Sequence, residues 1–395
     1  MYRFLSIIGL EFLALLLAWL QSLGGVRTDE AKILLNIPYP HPPLLRWIVG
    51  QTEWFPFQEM LWRVLLATVV VQAAWLVWDM GREFPRGARV VATASWLLSA
   101  AVLQQAGSIM TAPVTAVWGL VFCWFFIRSE LETPSPQGRG FAPFIALLWF
   151  LSLFTAYQAV LYLPVVFAVL RRRQVSWTQV ACSVGFPVFL AGLYALGNPL
   201  SLDRFIDAGT LNIGKSFPQK LADIGNMAMV GGSMVGAVVG LLGIMLRRAR
   251  ALSLSILLVA AFIFLSLRSY YAIFFTPLFT GGILLLFREH PEWWKKIGAA
   301  FIIALFILHP FPLGLKPSLA REVMQALTKA GVHGEILING SFGHEWQYES
   351  ALPIRKYRLE LLSFADALIC LRPCEGIGTG WRRFMRTSVE VWSRF

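Results

Sequence analysis

The chain has 395 residues, of which 57% are hydrophobic and only 14% are charged, and its formal net charge is +12. A soluble protein of this length would carry nearly twice as many charged residues, so the composition indicates a polytopic membrane protein. The arginines are spread over short segments between apolar runs instead of forming one basic domain. We therefore exclude nucleic acid as a partner.

The hydropathy pattern predicts eleven membrane-spanning helices within residues 1–311. The first apolar run has no clear small-residue cleavage site after it, so we interpret it as a retained span and not as a signal peptide. The predicted spans are 4–23, 57–78, 90–106, 109–127, 142–154, 159–170, 178–197, 225–246, 251–267, 270–287 and 297–311.

The distribution of arginine and lysine predicts the orientation of the chain. If the N-terminus is inside, every inside segment is basic, whereas the outside segments spread their basic residues over longer loops. This bias places the N-terminus in the cytoplasm and the C-terminus outside, in agreement with an odd number of spans. The extracytoplasmic face then holds the first outside loop (24–56), the loop 198–224 and the tail 312–395.

The hydrophilic tail, residues 312–395, has the pattern of a small extracytoplasmic α/β domain, near the lower size limit for an independent core. Residues 317–331 have helical periodicity and end in glycine. The stretch GEILING (334–340) is typical of a short buried strand. The stretch TGWRRFMRTSVEVW (379–392) suggests an amphipathic helix.

Two short polar patterns in the tail have several interpretations. Cys370 and Cys374 have no second cysteine pair and no nearby histidine, which disfavours zinc; a disulfide and two free thiols both remain open. His344 and Glu345 form an isolated pair of low specificity, and we interpret them as surface residues.

The first outside loop (24–56) combines two carboxylates, a lysine and a histidine with a stiff backbone. Asp29 and Glu30 follow Thr28, a residue type that caps helices, and the prolines between positions 38 and 43 stiffen the chain. An apolar stretch with Trp47 then suits the membrane interface. A rigid loop of this kind indicates a functional site, and an amphipathic connector is the simpler alternative.

The order of these residues resembles the first outside loop of the GT-C superfamily of polytopic glycosyltransferases. The nearest branch is the bacterial one that includes aminoarabinose transferases and protein mannosyltransferases. In that branch an acid pair follows the first span, a basic residue comes three places after the first acid, and a Lys- or His-Pro-Pro-Leu leads to a tryptophan. The corresponding residues here are Asp29, Glu30, Lys32, His41, Pro42, Pro43, Leu44 and Trp47.

Later segments resemble the family more loosely, and two positions depart from its pattern. Ala156 stands where the family has a lysine, and Val114 stands where it usually has an aspartate. The resemblance covers most of the membrane part but not the tail. The late segment SLRSYYAIFFTPLF (266–279) matches the family's basic, tyrosine and proline positions with Arg268, Tyr270, Tyr271 and Pro277.

The resemblance implies an inverting transfer of a sugar from a polyprenyl-phosphate donor to an acceptor hydroxyl, outside the bacterial inner (plasma) membrane. It implies Asp29 as the general base, with Glu30 as the second catalytic candidate. The leaving phosphate needs cations or hydrogen-bond donors, for which the candidates are Lys32, His41, Arg268, Tyr270 and Tyr271. Arg204 and Lys215 in the second outside loop are candidates for binding the acceptor or phosphate.

No cofactor is predicted, because the chain has no P-loop, dinucleotide fingerprint or zinc-protease motif. A divalent metal at the acid pair stays open. The expected partners are the lipid-linked donor, a lipid, glycan or protein acceptor, and membrane lipids.

Two other function classes remain at this stage. One is a transporter or flippase of a lipid-linked envelope precursor, for which Glu11 and Arg63 are the charges nearest to span interiors. The other is a non-catalytic subunit of an envelope-glycan assembly complex. The sequence names neither the sugar nor the acceptor.

Overall fold

The chain folds into a large helical part followed by a small domain built on a five-stranded sheet, which confirms the predicted fold class. The computed structural model describes residues 2–38, 40–131, 138–198, 200, 214–266, 268–308, 318–374, 377, 379–386 and 389–394. The predicted domain boundary at residues 311 and 312 lies outside this described part of the chain.

A helix occupies each of the eleven predicted spans, and short helices fill the first outside loop. The first nine helices are α1 (Tyr2–Leu23), α2 (Thr28–Leu34), α3 (Leu44–Gly50), α4 (Gln58–Gln72), α5 (Ala74–Met80), α6 (Arg86–Leu97), α7 (Ala100–Gln105), α8 (Thr111–Leu131) and α9 (Gly138–Thr155). They are followed by the 3-10 helix η1 (Tyr157–Tyr162), α10 (Leu163–Arg172), α11 (Trp177–Gly197), α12 (Phe217–Gly232), α13 (Met234–Leu246), α14 (Arg250–Leu265), the 3-10 helix η2 (Ser269–Phe275), α15 (Thr276–Glu289) and α16 (Trp293–Leu308).

The described helices include several that are long and apolar enough to cross a membrane, so the chain is a multi-pass membrane protein. Two further apolar helices, Gly140–Thr155 and Arg250–Leu265, are shorter, and α12 with α13 forms one bent pair. The helices that meet the length and composition of a span are Leu5–Leu23, Gln58–Met80, Thr111–Ser129, Trp177–Gly197 and Ser269–Glu289.

Several of the predicted spans are divided between two helical elements. The span at 90–106 divides into α6 and α7, and the span at 159–170 begins as η1. The span at 225–246 bends by 95° between α12 and α13. At that bend Ser233 has a φ of +56° and its hydroxyl accepts a hydrogen bond from the backbone N–H of Gly236, which restarts the helix in a new direction.

The segment formed by η2 and α15 lies at the centre of the helical part and is almost entirely buried. Helix α13 packs closely on α15. The two backbones are so near each other that a Cβ atom at Gly240 would lie only 2.7 Å from the carbonyl oxygen of Phe279. Small residues at helix contacts permit this close approach of two backbones. The dense packing fixes η2, and with it Tyr270 and Tyr271, at one end of the buried segment.

The small C-terminal domain consists of two helices and a mixed sheet of five strands, with strand order β2-β1-β3-β5-β4. Strand β1 is parallel to β2 and β3, whereas β5 is antiparallel to β3 and β4. The elements are α17 (Leu319–Lys329), β1 (Glu335–Asn339), α18 (His344–Glu349), β2 (Ile354–Lys356), a 3-10 turn at Leu359–Leu361, β3 (Ala365–Cys370), β4 (Arg382–Arg386) and β5 (Glu390–Ser393).

The tail predictions have mixed outcomes. The helix predicted in 317–331 and the strand predicted in 334–340 are confirmed as α17 and β1, and Val323 of α17 packs on Ile338 of β1. The amphipathic helix predicted in 379–392 is wrong, since the described residues of this stretch form the antiparallel strands β4 and β5. Val391 is fully buried between half-buried neighbours, which is the alternation of a strand, and pairing with β3 stabilises it.

Cys370 and Cys374 are joined by a disulfide bond, so the thiol alternative is not the one observed. Of the two remaining cysteines, Cys123 is buried and Cys182 is exposed. Disulfides persist in oxidising compartments, which agrees with a tail outside the cytoplasm.

Alkylation with a maleimide reagent tests this assignment in the protein purified without reductant. We expect Cys370 and Cys374 to be labelled only after reduction, because the disulfide leaves neither of them a free thiol. Peptide mass spectrometry reads out each site. Labelling of Cys370 in the unreduced protein from membranes would contradict the disulfide and remove one support for an extracytoplasmic tail.

Candidate active site

The short helix α2 fixes the two acids of the first outside loop. The side chain of Glu30 accepts a hydrogen bond from the backbone N–H of Arg27 at 2.9 Å, which caps the start of the helix. Ala31 and Ile33 are buried in an apolar cluster with Leu66 of α4. Both acids lie in the first turn, where negative charge is favourable. The loop is therefore a built part of the structure and not a loose connector.

Glu30 is buried and fully engaged with other groups of the protein. Its two oxygens accept hydrogen bonds from the guanidinium of Arg63 at 3.0 and 3.2 Å and from the backbone N–H of Ile109 at 2.9 Å. Together with the N–H of Arg27, these donors occupy the four acceptor positions of a carboxylate. This geometry favours a positioning role for Glu30 over the catalytic role that the sequence suggested.

Asp29 has a different environment from Glu30. Its side chain is 30% exposed, and its Oδ1 lies 3.5 Å from the Nζ of Lys32 one turn later. Asp29 lines a small cleft with His41, Tyr270 and Tyr271. A carboxylate with free acceptor capacity beside a cleft can take a proton from a bound hydroxyl.

The cleft brings together two parts of the chain that are far apart in sequence. Asp29 and His41 come from the first outside loop, and Tyr270 and Tyr271 come from η2. Tyr271 is held by aromatic packing, with its ring 5.5 Å from that of Phe274 and stacked on it. The structure thus groups four of the residues that the sequence placed in one site.

The remaining predicted phosphate or acceptor residues have other positions. Arg268 is exposed, immediately precedes η2 and interacts electrostatically with Tyr271. Lys215 is exposed and pairs with Asp223 at 2.7 Å, and it does not line the cleft. Arg204 lies outside the described residues. The involvement of Lys215 and Arg204 therefore stays a prediction.

A chain of ion pairs connects Glu30 to the C-terminal domain. The Nε of Arg63 donates to Glu59 at 2.8 Å, and the other oxygen of Glu59 lies 2.7 Å from Arg321 of α17. Arg321 in turn donates to Glu349 of α18 at 2.9 Å. We call these five residues, Glu30, Arg63, Glu59, Arg321 and Glu349, the charge network.

Two further hydrogen bonds hold α18 against the start of α2. Glu349 accepts from the backbone N–H of Val26 at 3.0 Å, and Glu345 accepts from the hydroxyl of Thr28 at 2.5 Å. The interpretation of Glu345 as a surface residue is therefore wrong. The C-terminal domain therefore contacts Val26, just before α2, and Thr28, the first residue of α2 and the neighbour of Asp29.

Arg321 is held as a cation at this contact. Its burial alone would lower its pKa, but the hydrogen bond to Glu349 and the charges of Glu59 and Glu349 together raise the pKa above its usual value. The guanidinium also donates to the carbonyl oxygen of Ser22 at the end of α1. Arg321 thus ties α1, α4 and α18 together.

Replacing Arg321 by alanine tests whether the contact stabilises the fold. We expect the free energy of unfolding to fall by about 1.5–3 kcal/mol, since several charge-assisted hydrogen bonds are lost and two carboxylates lose their partner. The measurement is thermal unfolding in nanodiscs. Arg355→Ala is the matched control, because Arg355 is itself exposed and pairs with Glu335 in the same domain. Such a pair contributes at most about 1 kcal/mol to stability. Equal effects of both variants would contradict a special role for Arg321.

The described residues around Asp29 and Glu30 do not form a group of side chains that could hold a metal ion. In the described ranges there is no group of three or more His, Cys, Asp or Glu side chains with the spacing of a metal site. The acid pair itself is divided, because Glu30 is bound to Arg63 while Asp29 faces the cleft.

Two solved structures of one known protein have a similar fold over nearly the whole chain. ArnT from Cupriavidus metallidurans bound to undecaprenyl phosphate is similar with a TM-score of 0.61 and 12% identity, and the match covers 98% of each chain. The apo state of the same enzyme has the same score and identity, covering 100% of this chain and 98% of the other. This chain has the GT-C fold.

The resemblance noted in the sequence is therefore confirmed at the level of the fold. The oligosaccharyltransferase of Archaeoglobus fulgidus, in complex with zinc and sulfate, is also similar, with a TM-score of 0.45, 13% identity and coverage of 91% of this chain and 67% of the other. No protein-family model and no curated protein sequence matches the chain.

Proposed function

We propose that the protein is a membrane glycosyltransferase that moves a sugar from a polyprenyl-phosphate donor to an acceptor hydroxyl. The observation that carries this proposal is the cleft in which Asp29, beside Lys32, faces His41 and the tyrosines of η2. The GT-C fold, and the undecaprenyl phosphate bound by the similar ArnT, support a lipid-phosphate donor.

The proposed reaction is a single displacement at the anomeric carbon. The acceptor oxygen forms a bond to that carbon while the bond to the phosphate oxygen of the donor breaks, so the anomeric centre is inverted. Asp29 accepts the proton of the attacking hydroxyl. The products are the glycosylated acceptor and polyprenyl phosphate, and the proton returns to water when Asp29 is deprotonated.

The departing phosphate gains negative charge and needs donors in a water-poor site. His41, Tyr270 and Tyr271 line the cleft and can supply them, as can Lys32 beside Asp29. Arg268 interacts electrostatically with Tyr271 and is a further candidate. Glu30 acts through position in this proposal, since its bonds to Arg63 and Ile109 fix the helix that carries Asp29.

We place this site on the outer face of the bacterial plasma membrane, with the N-terminus in the cytoplasm. The basic residues of the predicted inside loops support this orientation, and so does the disulfide in the C-terminal domain. The acceptor is a lipid, glycan or protein that presents a hydroxyl on that side.

The alternative function, a transporter or flippase, has less support from the described residues than the glycosyltransferase. Glu11, one of the two charges near a span interior, accepts hydrogen bonds from Thr68 and Gln72, and Arg63 is paired within the charge network. Both charges thus have structural partners, which accounts for their presence without a translocation path.

A transfer assay in nanodiscs tests the proposal. Purified protein is incubated with a panel of polyprenyl-phosphate sugars and a native lipid extract, and free polyprenyl phosphate is measured. We expect release that depends on both the protein and the extract. A folded protein that consumes no donor of the panel, with any extract added, would contradict the proposal and favour a transporter or an assembly subunit.

A further inference from the structure

A second and larger cavity lies next to the Asp29 cleft, where α1, α2, α7 and η2 meet. Its volume is about 350 Å³, which is within the range of small-molecule sites. Tyr270 lines both this cavity and the Asp29 cleft, so the two spaces are neighbours. Its polar side chains include Gln21, Gln104, Gln105, Ser108 and Ser269.

Apart from Arg27, the wall of this cavity offers hydrogen bonds without a net charge. Glu30 and Arg63 both border it, but they neutralise each other as a buried ion pair. The other charged residue of the wall, Arg27, is exposed at the edge. Amide and hydroxyl groups can both donate and accept, which matches the hydroxyl groups of a sugar. A phosphate or a charged sugar would find no free opposite charge in the interior.

Two of the glutamines have unused hydrogen-bonding capacity. The Oε1 atoms of Gln21 and Gln105 are buried and have no hydrogen-bond partner in the described part of the chain. Gln105 itself is only 3% exposed. Buried amide oxygens are nearly always paired in folded proteins, so rotation of either amide toward the cavity would give it a hydrogen bond to a bound ligand.

We infer that this cavity binds an uncharged, hydroxyl-rich sugar ring and presents it to the Asp29 cleft past Tyr270. The inference rests on the proposed function, because it names the class of sugar that this site would transfer or receive. The ring belongs either to the lipid-linked donor or to a glycan acceptor, and both sources have the same hydroxyl chemistry.

Saturation-transfer NMR on the full chain in nanodiscs tests the inference without requiring turnover. The probes are free monosaccharides of three kinds: a neutral hexose, glucosamine and glucuronate. We expect saturation transfer to the neutral hexose above that to either charged sugar. Gln105→Leu should weaken the binding of the hexose by about threefold to tenfold, the factor for one uncharged hydrogen bond.

Matched variants separate this site from general effects on folding. Ser255→Ala removes another buried hydroxyl that has no partner in the described residues, but Ser255 lies in α14 outside both cavities. It should leave hexose binding unchanged. Ser108→Ala is the second cavity variant if Gln105→Leu does not fold, and it should weaken binding in the same direction.

The outcomes distinguish this inference from the proposed function. Hexose binding that is lost in Gln105→Leu and kept in Asp29→Asn supports the inference, even if no transfer is found with any donor. Preference for glucuronate or glucosamine, or hexose binding that is unchanged in both cavity variants, would overturn it even if transfer is established.

Kinetics then identify the source of the sugar. In the transfer assay, Gln105→Leu should raise the KM for only one substrate. A higher KM for the polyprenyl-phosphate sugar assigns the cavity to the donor ring, and a higher KM for the lipid-extract acceptor assigns it to the acceptor. Unchanged values for both substrates would contradict a role of the cavity in either.

Discussion

Replacing Asp29 by asparagine should lower kcat of the transfer reaction by about 100-fold to 10,000-fold, the usual contribution of a general base. The amide keeps the size of the side chain but cannot accept the proton of the attacking hydroxyl. Stability should change little, because Asp29 is partly exposed and its pair with Lys32 is long at 3.5 Å. The measurement is the rate of polyprenyl phosphate release at saturating donor, beside thermal unfolding of the same sample.

Asp223→Asn is the matched control for this variant. Asp223 also pairs with a lysine, Lys215, but it lies on α12 and lines neither cavity. It should leave kcat near the wild-type value. If Asp29→Asn also keeps its rate, Asp29 is not the base and the assignment of the cleft as the catalytic centre fails.

Replacing Arg63 by leucine should destabilise the protein strongly, by about 3–5 kcal/mol, because it leaves the buried carboxylate of Glu30 without its charged partner. Arg63 is 1% exposed, and it also donates to the carbonyl oxygens of Gly25 and Gly107. These groups lose their donor at the same time. The measurement is thermal or denaturant unfolding of the protein in detergent or nanodiscs.

The double variant Arg63→Leu with Glu30→Leu separates the ion pair from simple packing. Since it removes both charges, it should recover part of the stability that Arg63→Leu loses. Glu59 keeps its bond to Arg321 in both variants. A double variant that is no more stable than Arg63→Leu would show that Glu30 and Arg63 do not stabilise each other as the structure indicates.

The residues of the Asp29 cleft could be predicted because the sequence carries them in recognisable local patterns. Asp29 and His41 lie in one stiff loop, and Tyr270 and Tyr271 begin a late apolar segment. The orientation derived from basic residues placed both segments on the same face. A helical bundle with the GT-C fold then brings the side chains of the two segments together.

The charge network could not be predicted from local patterns, since its members lie far apart in the chain. Arg63 is 33 residues from Glu30, and Arg321 is 262 residues from Glu59. One signal was present: an arginine within an apolar run must find an acid. The sequence offered several acids near span ends and did not select Glu30 and Glu59 among them.

The breaks in the helices and the antiparallel strands of the tail were also beyond the sequence pattern. Residues 225–246 are mostly apolar and read as one span, yet Ser233 adopts a positive φ where the helix turns by 95°. Residues 379–392 have a mixture of charged and apolar side chains that fits a helix or a strand. Pairing of β5 with β3 decides for the strand.

A structure of the protein in nanodiscs with polyprenyl phosphate, determined by electron cryo-microscopy, tests the central claim most directly. The account predicts phosphate density between α2 and η2, within hydrogen-bond reach of at least one of Lys32, His41 and Tyr271. Density for the phosphate at any other place, with the Asp29 cleft left to solvent, would contradict the assignment of this cleft as the donor site.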